Sequence, residues 1–354
     1  MPQVSIIILN WNQPEFTVNC VKSVLEQDYK DFEILLVDNG SDDNSVERFR
    51  KEFSDNPKIR LIENSKNLGY AGGNNEGARQ AQGEYVVILN NDTLVEKDWL
   101  NNLVEGIEGG DDVGSISSIE IREGKKSDWN FKLFGFTLTL LGYFASYTYK
   151  NELKERRFVD IFSIKGVSFI YKKKLVDLPF DSEYFIYAED TYLGWLLKLK
   201  GYRNLLSTKY ALHHFHNVVK KTSTRRMRNY FVYLGERNRM MNLLLFYEPK
   251  NLIKTLPLAV FGAILLNLSE PNNIVPRIRS YLWILSHPRK IMQKRRHIQK
   301  QRVVSDEKII RQMSCKFYDK VKVNNKVLGI FLTFVNGMFH LYCKIVKLDT
   351  IEMS

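Results

Sequence analysis

The first 120 residues alternate short apolar runs with amphipathic stretches, and few folds accommodate this pattern. Near-continuous apolar or β-branched runs occupy residues 4–9, 32–37, 58–63 and 84–90. Such runs are expected for strands that are covered on both faces. Apolar residues at helical spacing lie between the first two runs, and residues 45–53 and 72–82 fill the next two intervals. The sequence therefore predicts an α/β fold with a mostly parallel sheet flanked by helices.

Three local patterns refine this expectation. Asn12 and Glu15 predict a capping box at the start of the first helix, with Pro14 in the first turn. Farther along, residues 162–172 are interpreted as a strand containing Gly166, and residues 189–200 as an amphipathic helix.

Each predicted strand of the sheet ends in a polar cluster. Turn formation alone favours Asn, Asp, Gly and Ser, but four clusters on one edge favour a ligand site, because ligands bind at the carboxyl ends of parallel strands. Asp92 lies where a carboxylate can hold a hard divalent cation that also touches phosphate. Asp38 lies where it can accept hydrogen bonds from a nucleoside. The clusters are residues 10–12, 38–43, 67–77 and 90–93.

Two further groups of polar residues follow in the second half of the chain. Glu189 and Asp190 begin a predicted helix, where acids either complement the helix dipole or supply a general base. His213, His214 and His216 lie within four residues, and such a cluster is either structural or contains a metal or phosphate ligand. No Gly-x-Gly-x-x-Gly follows the first strand and no Walker loop is present. The sequence therefore does not favour a dinucleotide-binding site or a P-loop.

At this point the sequence resembles a known family. The motifs are VSIIILNWN, VDNGSDD, NLGYAGGNNEG and LNNDT, followed by Glu189-Asp190, the histidine cluster and residues 236–239. In that order and spacing they resemble family 2 glycosyltransferases of the GT-A fold, and most closely the rhamnosyltransferase-like branch that extends cell-surface glycans. The likeness covers roughly residues 3–245, which implies a catalytic domain over residues 1–245.

The resemblance implies an inverting transfer from a nucleotide-diphosphate sugar to a glycan or lipid-linked acceptor. Asp190 is then the catalytic base, and Glu189 beside it orients the acceptor or the sugar. Arg237 and Arg239 are assigned either to the diphosphate or to a plain helix surface. The implied nucleotide-sugar contacts are Asn10, Asp38, Asn67, Gly69, Asn75, Asn91, Gly166 and Arg237.

The resemblance also implies a divalent metal, Mg²⁺ or Mn²⁺. Asp92 would be the metal-binding acid of an Asp-x-Asp motif whose first acid is replaced here by Asn90. One of His213 and His214 would complete the metal or diphosphate site, and the repeated histidine leaves both candidates open.

The last part of the chain, residues 246–354, alternates apolar and basic stretches. Residues 1–124 have 11 basic and 23 acidic side chains, whereas residues 125–354 have 41 and 17. The uncharged runs 255–269 and 327–343 are short for membrane spans and are interpreted as interfacial or buried helices. Between them, residues 271–305 contain nine Lys and Arg and no acid, which suits anionic headgroups. We therefore expect peripheral or monotopic association with the cytoplasmic face of the cell membrane.

Two other functional classes remain open at this stage. The basic stretch would also suit a nucleic-acid-binding protein, although the apolar runs beside it favour a membrane, so no nucleic acid is expected. A nucleotidyltransferase would place a similar nucleotide site on a similar sheet.

Three cysteines without paired spacing predict free thiols in a reducing compartment. The apolar start of the chain predicts a strand and no signal peptide.

Overall fold

The computed structural model describes residues 1–122, 132–148, 156–215, 224–317 and 326–353. The strands are β1 (Val4–Asn10), β2 (Phe32–Asp38), β3 (Ile59–Glu63), β4 (Tyr85–Asn90), β5 (Thr93–Val95), β6 (Val113–Arg122), β7 (Lys132–Leu138), β8 (Phe144–Thr148), β9 (Phe158–Ile161), β10 (Ser168–Lys172) and β11 (Arg203–His214). The helices are α1 (Pro14–Leu25), α2 (Ser45–Phe53), α3 (Gly69–Gln80), α4 (Trp99–Glu108), α5 (Glu189–Leu199), α6 (Arg225–Phe246), α7 (Pro249–Ser269), α8 (Ile274–Ser286), α9 (Pro288–Gln299), α10 (Asp306–Ile310) and α11 (Lys326–Val346).

One mixed sheet organises the first 215 residues. Its strands lie in the order β3-β2-β1-β4-β10-β6-β11-β5, and β9 pairs with β11. The four strands predicted from the sequence are confirmed, and β1 to β4 are mutually parallel. β10 runs antiparallel to both β4 and β6, so the second half of the sheet is mixed. The register places Asn10 opposite Asp38, and both lie at the carboxyl edge.

Helices cover both faces of this sheet, which explains why its strands are apolar throughout. On one face, α1, α2 and α4 contribute buried side chains such as Val21, Phe49 and Trp99. On the other face, α3 and α5 contribute Ala71 and Trp195, and the same core continues into the helices after residue 246. The α/β fold expected from the sequence is therefore confirmed.

Two local predictions were wrong. No side-chain cap closes the start of α1, because Asn12 adopts a positive φ of 54° and its amide bonds to Asp42 in the loop after β2 at 2.6 Å. The strand expected over 162–172 is only Ser168–Lys172. Gly166 lies in the preceding loop, where its N–H donates to the Asp190 carboxylate at 3.2 Å.

The region after residue 246 is packed onto the rest of the molecule. The hydroxyl of Ser280 in α8 donates to the Tyr233 carbonyl of α6 at 2.8 Å. Gln299 at the end of α9 donates to the Phe246 carbonyl at 2.9 Å. The expected division at residue 245 thus falls at the end of α6, but the helices on both sides of it share one hydrophobic core.

Much of the basic charge of this region is used inside the protein. Arg277 pairs with Glu270, and Arg302 pairs with Asp306 at 2.9 Å. Lys290 and Lys294 bond to carboxylates of the loop before α5, and Arg295 to the Leu244 carbonyl. Five of the nine cations counted between residues 271 and 305 are therefore structural, a use that composition could not distinguish from a surface charge.

Two helices in the described part of the chain are long and apolar enough to cross a membrane. They are Pro249–Ser269 and Gly329–Val346, with mean hydropathies of 1.8 and 1.4. Each packs one side against the protein and exposes the other. Exposed apolar side chains of α7 are Ile253, Leu256, Val260, Ile264 and Leu268, and those of α11 are Ile330, Phe331, Phe334, Met338, Leu341 and Ile345.

Candidate active site

A buried polar network occupies the carboxyl ends of β1 and β2. The Asp38 carboxylate accepts hydrogen bonds from Asn10 Nδ2 at 2.8 Å, from the Ser41 hydroxyl at 2.6 Å and from the Ser41 N–H at 2.9 Å. Asn10 Oδ1 in turn accepts from the Thr17 hydroxyl at 2.8 Å. Both Asn10 and Asp38 are buried, so the network fixes their orientation before any ligand arrives.

Asn91 extends this network toward β4. Its amide nitrogen donates to the Thr17 hydroxyl at 2.9 Å and to Gln13 Oε1 at 3.3 Å. The structure therefore brings Asn10, Asp38 and Asn91 together, as the sequence predicted for the strand ends. Asn91 is only half-buried, so its side chain remains accessible at this edge.

A second network joins the loop before α3 to β2. Asn67 Oδ1 accepts from the Gly69 N–H at 2.7 Å and from Asn39 Nδ2 at 3.1 Å. Gly69 has a φ of +74°, and a Cβ there would lie 2.5 Å from the Phe185 carbonyl oxygen. Asn67 and Gly69 therefore shape the loop at the sheet edge, and only glycine permits its close approach to Phe185.

Asn75 does not fit the nucleotide contact implied for it. Its amide faces the protein interior, where Nδ2 donates to the Phe180 carbonyl at 2.7 Å and Oδ1 accepts from the Phe180 N–H at 3.2 Å. The side chain is buried, with both polar atoms satisfied. Asn75 therefore anchors the chain before α5, and the nucleotide contact predicted for it is wrong.

Asp92 lies beside His214 and not beside His213. His214 Nε2 is 3.3 Å from Asp92 Oδ1, and the two side chains are 8% and 13% exposed. His213 points to the other side of β11, where its Nε2 is 2.8 Å from Glu96 Oε1. Successive side chains of a strand alternate between faces, so the strand register decides between the two histidines in favour of His214.

The adjacent acids Glu189 and Asp190 lie at the start of α5. Asp190 Oδ1 accepts the Thr191 N–H at 2.6 Å, and Oδ2 accepts the Gly166 N–H at 3.2 Å. Glu189 is buried, and its Oε2 has no hydrogen-bond partner in the described structure. Burial raises the pKa of Asp190, which makes this carboxylate a stronger base.

Tyr70 connects the acids of α5 with Asp92. Its hydroxyl donates to the Gly166 carbonyl. Burial, followed by the charges of Glu189, Asp190 and Asp92, raises the pKa of Tyr70 well above its usual value. The Asn90 N–H also donates to the Val167 carbonyl at 2.9 Å, which joins the strand end before Asp92 to the loop whose Gly166 N–H bonds to Asp190.

The backbone before α5 is strained. Phe185, Tyr187 and Ala188 have φ values of 58°, 75° and 62°, in the left-handed region that disfavours residues with a Cβ. Such conformations cost about 1–3 kcal/mol each and persist only where surrounding contacts hold them. We call residues 185–188 the strained turn; it immediately precedes Glu189 and Asp190.

Two asparagines of α6 hold the strained turn. Asn238 Nδ2 lies 2.8 Å from the Tyr184 carbonyl, 3.0 Å from that of Ile186 and 2.8 Å from that of Tyr187. Asn242 Nδ2 donates to the Ala188 carbonyl at 3.0 Å. Neither role was predicted from the sequence, although Asn238 lies within residues 236–239.

The arginines of that segment have structural roles. Arg237 donates to the Glu183 carbonyl at 2.5 Å, and its guanidinium lies 5.0 Å from the centre of the Trp283 ring. Arg239 is paired with Glu236 in the interior. Both side chains are buried. The helix-surface role is therefore wrong for both residues, and diphosphate binding stays a prediction.

Comparison with known proteins finds a family for the first half of the chain, which includes Asn10, Asp38 and Asp92. Residues 5–177 match the model of glycosyl transferase family 2. Residues 5–177 are therefore a family 2 glycosyltransferase domain. The chain is 31% identical over 108 residues to the glycosyltransferase GlyG of Streptococcus pneumoniae, a match that covers 30% of this chain and 36% of that protein.

A second curated relative and a solved structure extend the comparison. Over 202 residues the chain is 26% identical to the poly-beta-1,6-N-acetyl-D-glucosamine synthase of Staphylococcus aureus, covering 56% of this chain and 47% of that one. The chain thus spans under half of the length of both curated relatives. The mannosyltransferase PcManGT from Pyrobaculum calidifontis, solved with GDP-Man and Mn²⁺, aligns with a TM-score of 0.52 and 18% identity over 85% of this chain and 88% of that one. The fold of the family 2 domain is therefore GT-A.

Glu189 should make the stability of the protein depend on pH. Burial, and then the neighbouring Asp190 charge, raises the pKa of Glu189 from 4.5 to about 8. The folded state keeps a proton that the unfolded chain releases above its ordinary pKa of 4.5. The stability contributed by this group is therefore fully present below pH 4.5 and is lost as the pH rises through about 8.

We expect Glu189→Gln, which is permanently neutral, to gain stability relative to the wild type as the pH rises across this window. Urea unfolding at acidic, neutral and mildly alkaline pH measures the difference. Glu26→Gln, which changes an exposed glutamate, serves as the control and should show no such trend. A difference between Glu189→Gln and wild type that stays constant with pH would contradict the expectation.

Proposed function

We propose that this chain transfers a sugar from a nucleotide-diphosphate sugar to a hydroxyl of a glycan or lipid-linked acceptor, with inversion at the anomeric carbon. The observation that carries the proposal is the position of Asp190. Two backbone N–H groups orient its carboxylate at the sheet edge, and the hydrogen bond from the Asn90 N–H to the Val167 carbonyl joins its loop to the strand end that precedes Asp92. A base and a metal-binding acid at one edge of a GT-A sheet are the groups that such a transfer requires.

The nucleoside would bind over β1 and β2. Asp38 is preoriented by Asn10 and Ser41, and a carboxylate in this state can accept a hydrogen bond from a base N–H or from ribose hydroxyls. Asn91 offers further polar atoms on the adjoining strand end. Asn67, Gly69 and Gly166 would act through the shape of the loops that border the donor. The GDP-Man in the mannosyltransferase supports a nucleotide-sugar donor.

Asp92 and His214 fit a divalent metal such as Mg²⁺ or Mn²⁺. A carboxylate oxygen and an imidazole nitrogen lie 3.3 Å apart, both largely shielded from solvent. Among the residues that the structure describes, no group of three or more His, Cys, Asp or Glu could hold a metal. Two protein ligands suit an ion that takes its remaining ligands from diphosphate and water. When bound, it would neutralise charge on the departing diphosphate.

Proton transfer would be the task of Asp190. As the acceptor oxygen forms its bond to the anomeric carbon, its proton passes to a carboxylate oxygen of Asp190. The bond between that carbon and the diphosphate oxygen breaks, and the electron pair leaves with the nucleoside diphosphate. The raised pKa of Asp190 favours this proton transfer. Glu189, the buried neighbour of Asp190, would orient the acceptor or the sugar.

Membrane association would bring this site to its acceptor. α7 and α11 each pack on one side and expose apolar residues on the other, the arrangement expected of helices that lie in the interface. We propose that residues 1–245 form the catalytic domain and that the helices after residue 246 hold it at the cytoplasmic face of the membrane.

The products of the reaction test the proposed function. Purified protein is incubated with UDP-, GDP- and dTDP-sugars, and release of nucleoside diphosphate is measured with Mn²⁺, with Mg²⁺ and with excess EDTA. We expect slow donor hydrolysis that falls at least about tenfold on chelation and returns when metal is restored.

Two results would oppose the proposal. Release of pyrophosphate from a nucleoside triphosphate would instead identify a nucleotidyltransferase. Donor hydrolysis unaffected by EDTA would remove the metal from the proposed mechanism. Asp177→Asn changes an exposed aspartate outside the site, so it tests the effect of losing one acidic charge by itself. This variant should release nucleoside diphosphate as wild type does.

A further inference from the structure

A large groove lies between the first turns of α6 and the outer side of α8. Its volume is about 1200 Å³, enough for a ligand larger than a typical small molecule. Three arginines line it, together with aromatic and aliphatic side chains. The lining residues that matter here are Arg225, Arg226, Tyr230, Arg279, Leu282 and Trp283, and we call this the α6–α8 groove.

The polar part of the α6–α8 groove is cationic. Arg225, Arg226 and Arg279 are exposed, and none of the described residues that line the groove is acidic. In the parts of the chain that the structure describes, no carboxylate pairs with these three guanidinium groups. Other arginines of the same region, such as Arg277 and Arg302, have acidic partners instead. Three available guanidinium groups at one groove favour an anionic group with several oxygens, such as phosphate or diphosphate.

The remaining lining is apolar and is continuous with an exposed helix face. Val275 and Leu282 line the groove and are 60% and 59% exposed. Ile278 and Leu285 continue the same side of α8 at helical spacing and are also exposed. An apolar strip that runs from a cationic groove onto an open helix face suits a ligand with an anionic head and a long hydrocarbon chain.

The α6–α8 groove adjoins the proposed catalytic centre. Tyr230, which lines the groove, contacts Phe185 with ring centroids 6.3 Å apart. Phe185 begins the strained turn that leads to Asp190. In addition, Phe231 contacts Tyr187 of the same turn at 5.8 Å. A headgroup bound by the arginines would therefore lie next to the segment that positions the base.

We infer that the α6–α8 groove binds the lipid part of the acceptor, an amphiphile whose phosphate or diphosphate pairs with Arg225, Arg226 and Arg279. The hydrocarbon lies along Val275 and Leu282 toward the exposed face of α8. This inference rests on the proposed function, and it commits the acceptor to a phosphate-linked lipid. A free anion would make no contact with the apolar strip, and a neutral lipid would offer the three arginines no anionic group.

Binding of farnesyl phosphate to the full chain in neutral detergent tests the inference. Farnesol provides the same hydrocarbon without the charge, and inorganic phosphate provides the charge without the hydrocarbon. We expect farnesyl phosphate to bind at least about tenfold more tightly than either by titration calorimetry. The double variant Arg226→Gln/Arg279→Gln should weaken farnesyl phosphate binding at least about tenfold, and Leu282→Ser should also weaken it.

Two control variants distinguish binding in the groove from a general effect of positive charge or apolar surface. Arg289→Gln removes an exposed cation of α9, and Leu268→Ser removes an exposed leucine of α7. Neither residue lines the groove. Both should bind farnesyl phosphate as wild type does. The inference is overturned if farnesol binds equally well or if Arg289→Gln loses as much affinity as the double variant. Binding only to phosphatidylglycerol vesicles, with none to farnesyl phosphate, also overturns it in favour of a bilayer surface.

Asp92→Asn distinguishes failure of the groove from failure of the proposed function. The variant should lose donor hydrolysis and keep farnesyl phosphate binding. Groove-dependent binding by a wild-type protein that hydrolyses no nucleotide-sugar would oppose the proposed function alone. Metal-dependent donor hydrolysis without farnesyl phosphate binding would oppose the groove alone.

Discussion

Replacing Asp190 by asparagine is expected to lower the rate of sugar transfer about a thousandfold, with little change in nucleotide affinity. The physical reason is that asparagine keeps the shape of the side chain but cannot take the acceptor proton. General bases typically contribute between about a hundredfold and ten-thousandfold to a rate, and no other carboxylate is oriented in the same way by the Gly166 and Thr191 N–H groups in the described structure.

The measurement separates chemistry from binding. Nucleoside diphosphate release gives the rate, and calorimetry with the nucleoside diphosphate gives the affinity for wild type and variant. Thermal unfolding is measured for both proteins as well. Asparagine has only one side-chain oxygen, so it cannot accept hydrogen bonds from both N–H groups as aspartate does. A variant with less than about a tenfold loss of rate would show that Asp190 is not the base. The exposed Asp177→Asn again controls for loss of charge alone.

The features that the sequence predicted correctly are local or periodic. The apolar runs, the helices between them and the polar strand ends all follow from patterns that extend over a few residues. Since carboxyl ends of parallel strands meet at one edge, the meeting of Asn10, Asp38 and Asn91 followed from the strand order alone. The start of α5 at Glu189 was likewise visible from its acids and its apolar spacing.

The features that the sequence did not reveal depend on contacts between distant segments. Choosing His214 over His213 required the register of β11 against β5, which a one-residue slip would reverse. The contacts of Arg237 were not predicted because its partners, Glu183 and Trp283, lie 54 and 46 residues away in the chain. Asn75 was misassigned for the same reason, since its partner Phe180 is 105 residues away.

Asn238 is the strongest case of such a missed contact, and its removal is the second large effect that we expect. Its amide contacts three carbonyls of residues 184–187, and its Oδ1 accepts Arg237 Nε at 3.0 Å. Asn238→Ala would remove the side-chain donor of the partly buried Ile186 and Tyr187 carbonyls, at a cost of up to about 1–3 kcal/mol each, whereas the Tyr184 carbonyl keeps the Ile186 N–H at 2.6 Å. The strained turn would then relax, and Asp190 would move from its position near the acceptor.

We expect Asn238→Ala to lower kcat about a hundredfold, because small displacements of a catalytic group cost about that much. Donor affinity should change little, since the asparagine contacts only the segment before α5 and Arg237. Asn238→Asp, which keeps the shape but presents oxygens to the carbonyls, should be as damaging as alanine. Asn267→Ala is the matched control, since the Asn267 amide donates only to Ala263 of the same helix.

The combination of readouts assigns the role of Asn238. Stability is measured by urea unfolding, and kcat and donor affinity are measured under conditions where the variant is folded. A positioning role requires kcat to fall in the folded variant while donor affinity is retained. Loss of stability with an unchanged kcat for the folded fraction would show that Asn238 only holds the fold together, and that the strained turn keeps its shape through Asn242 and the Ala71 N–H bond to Phe185.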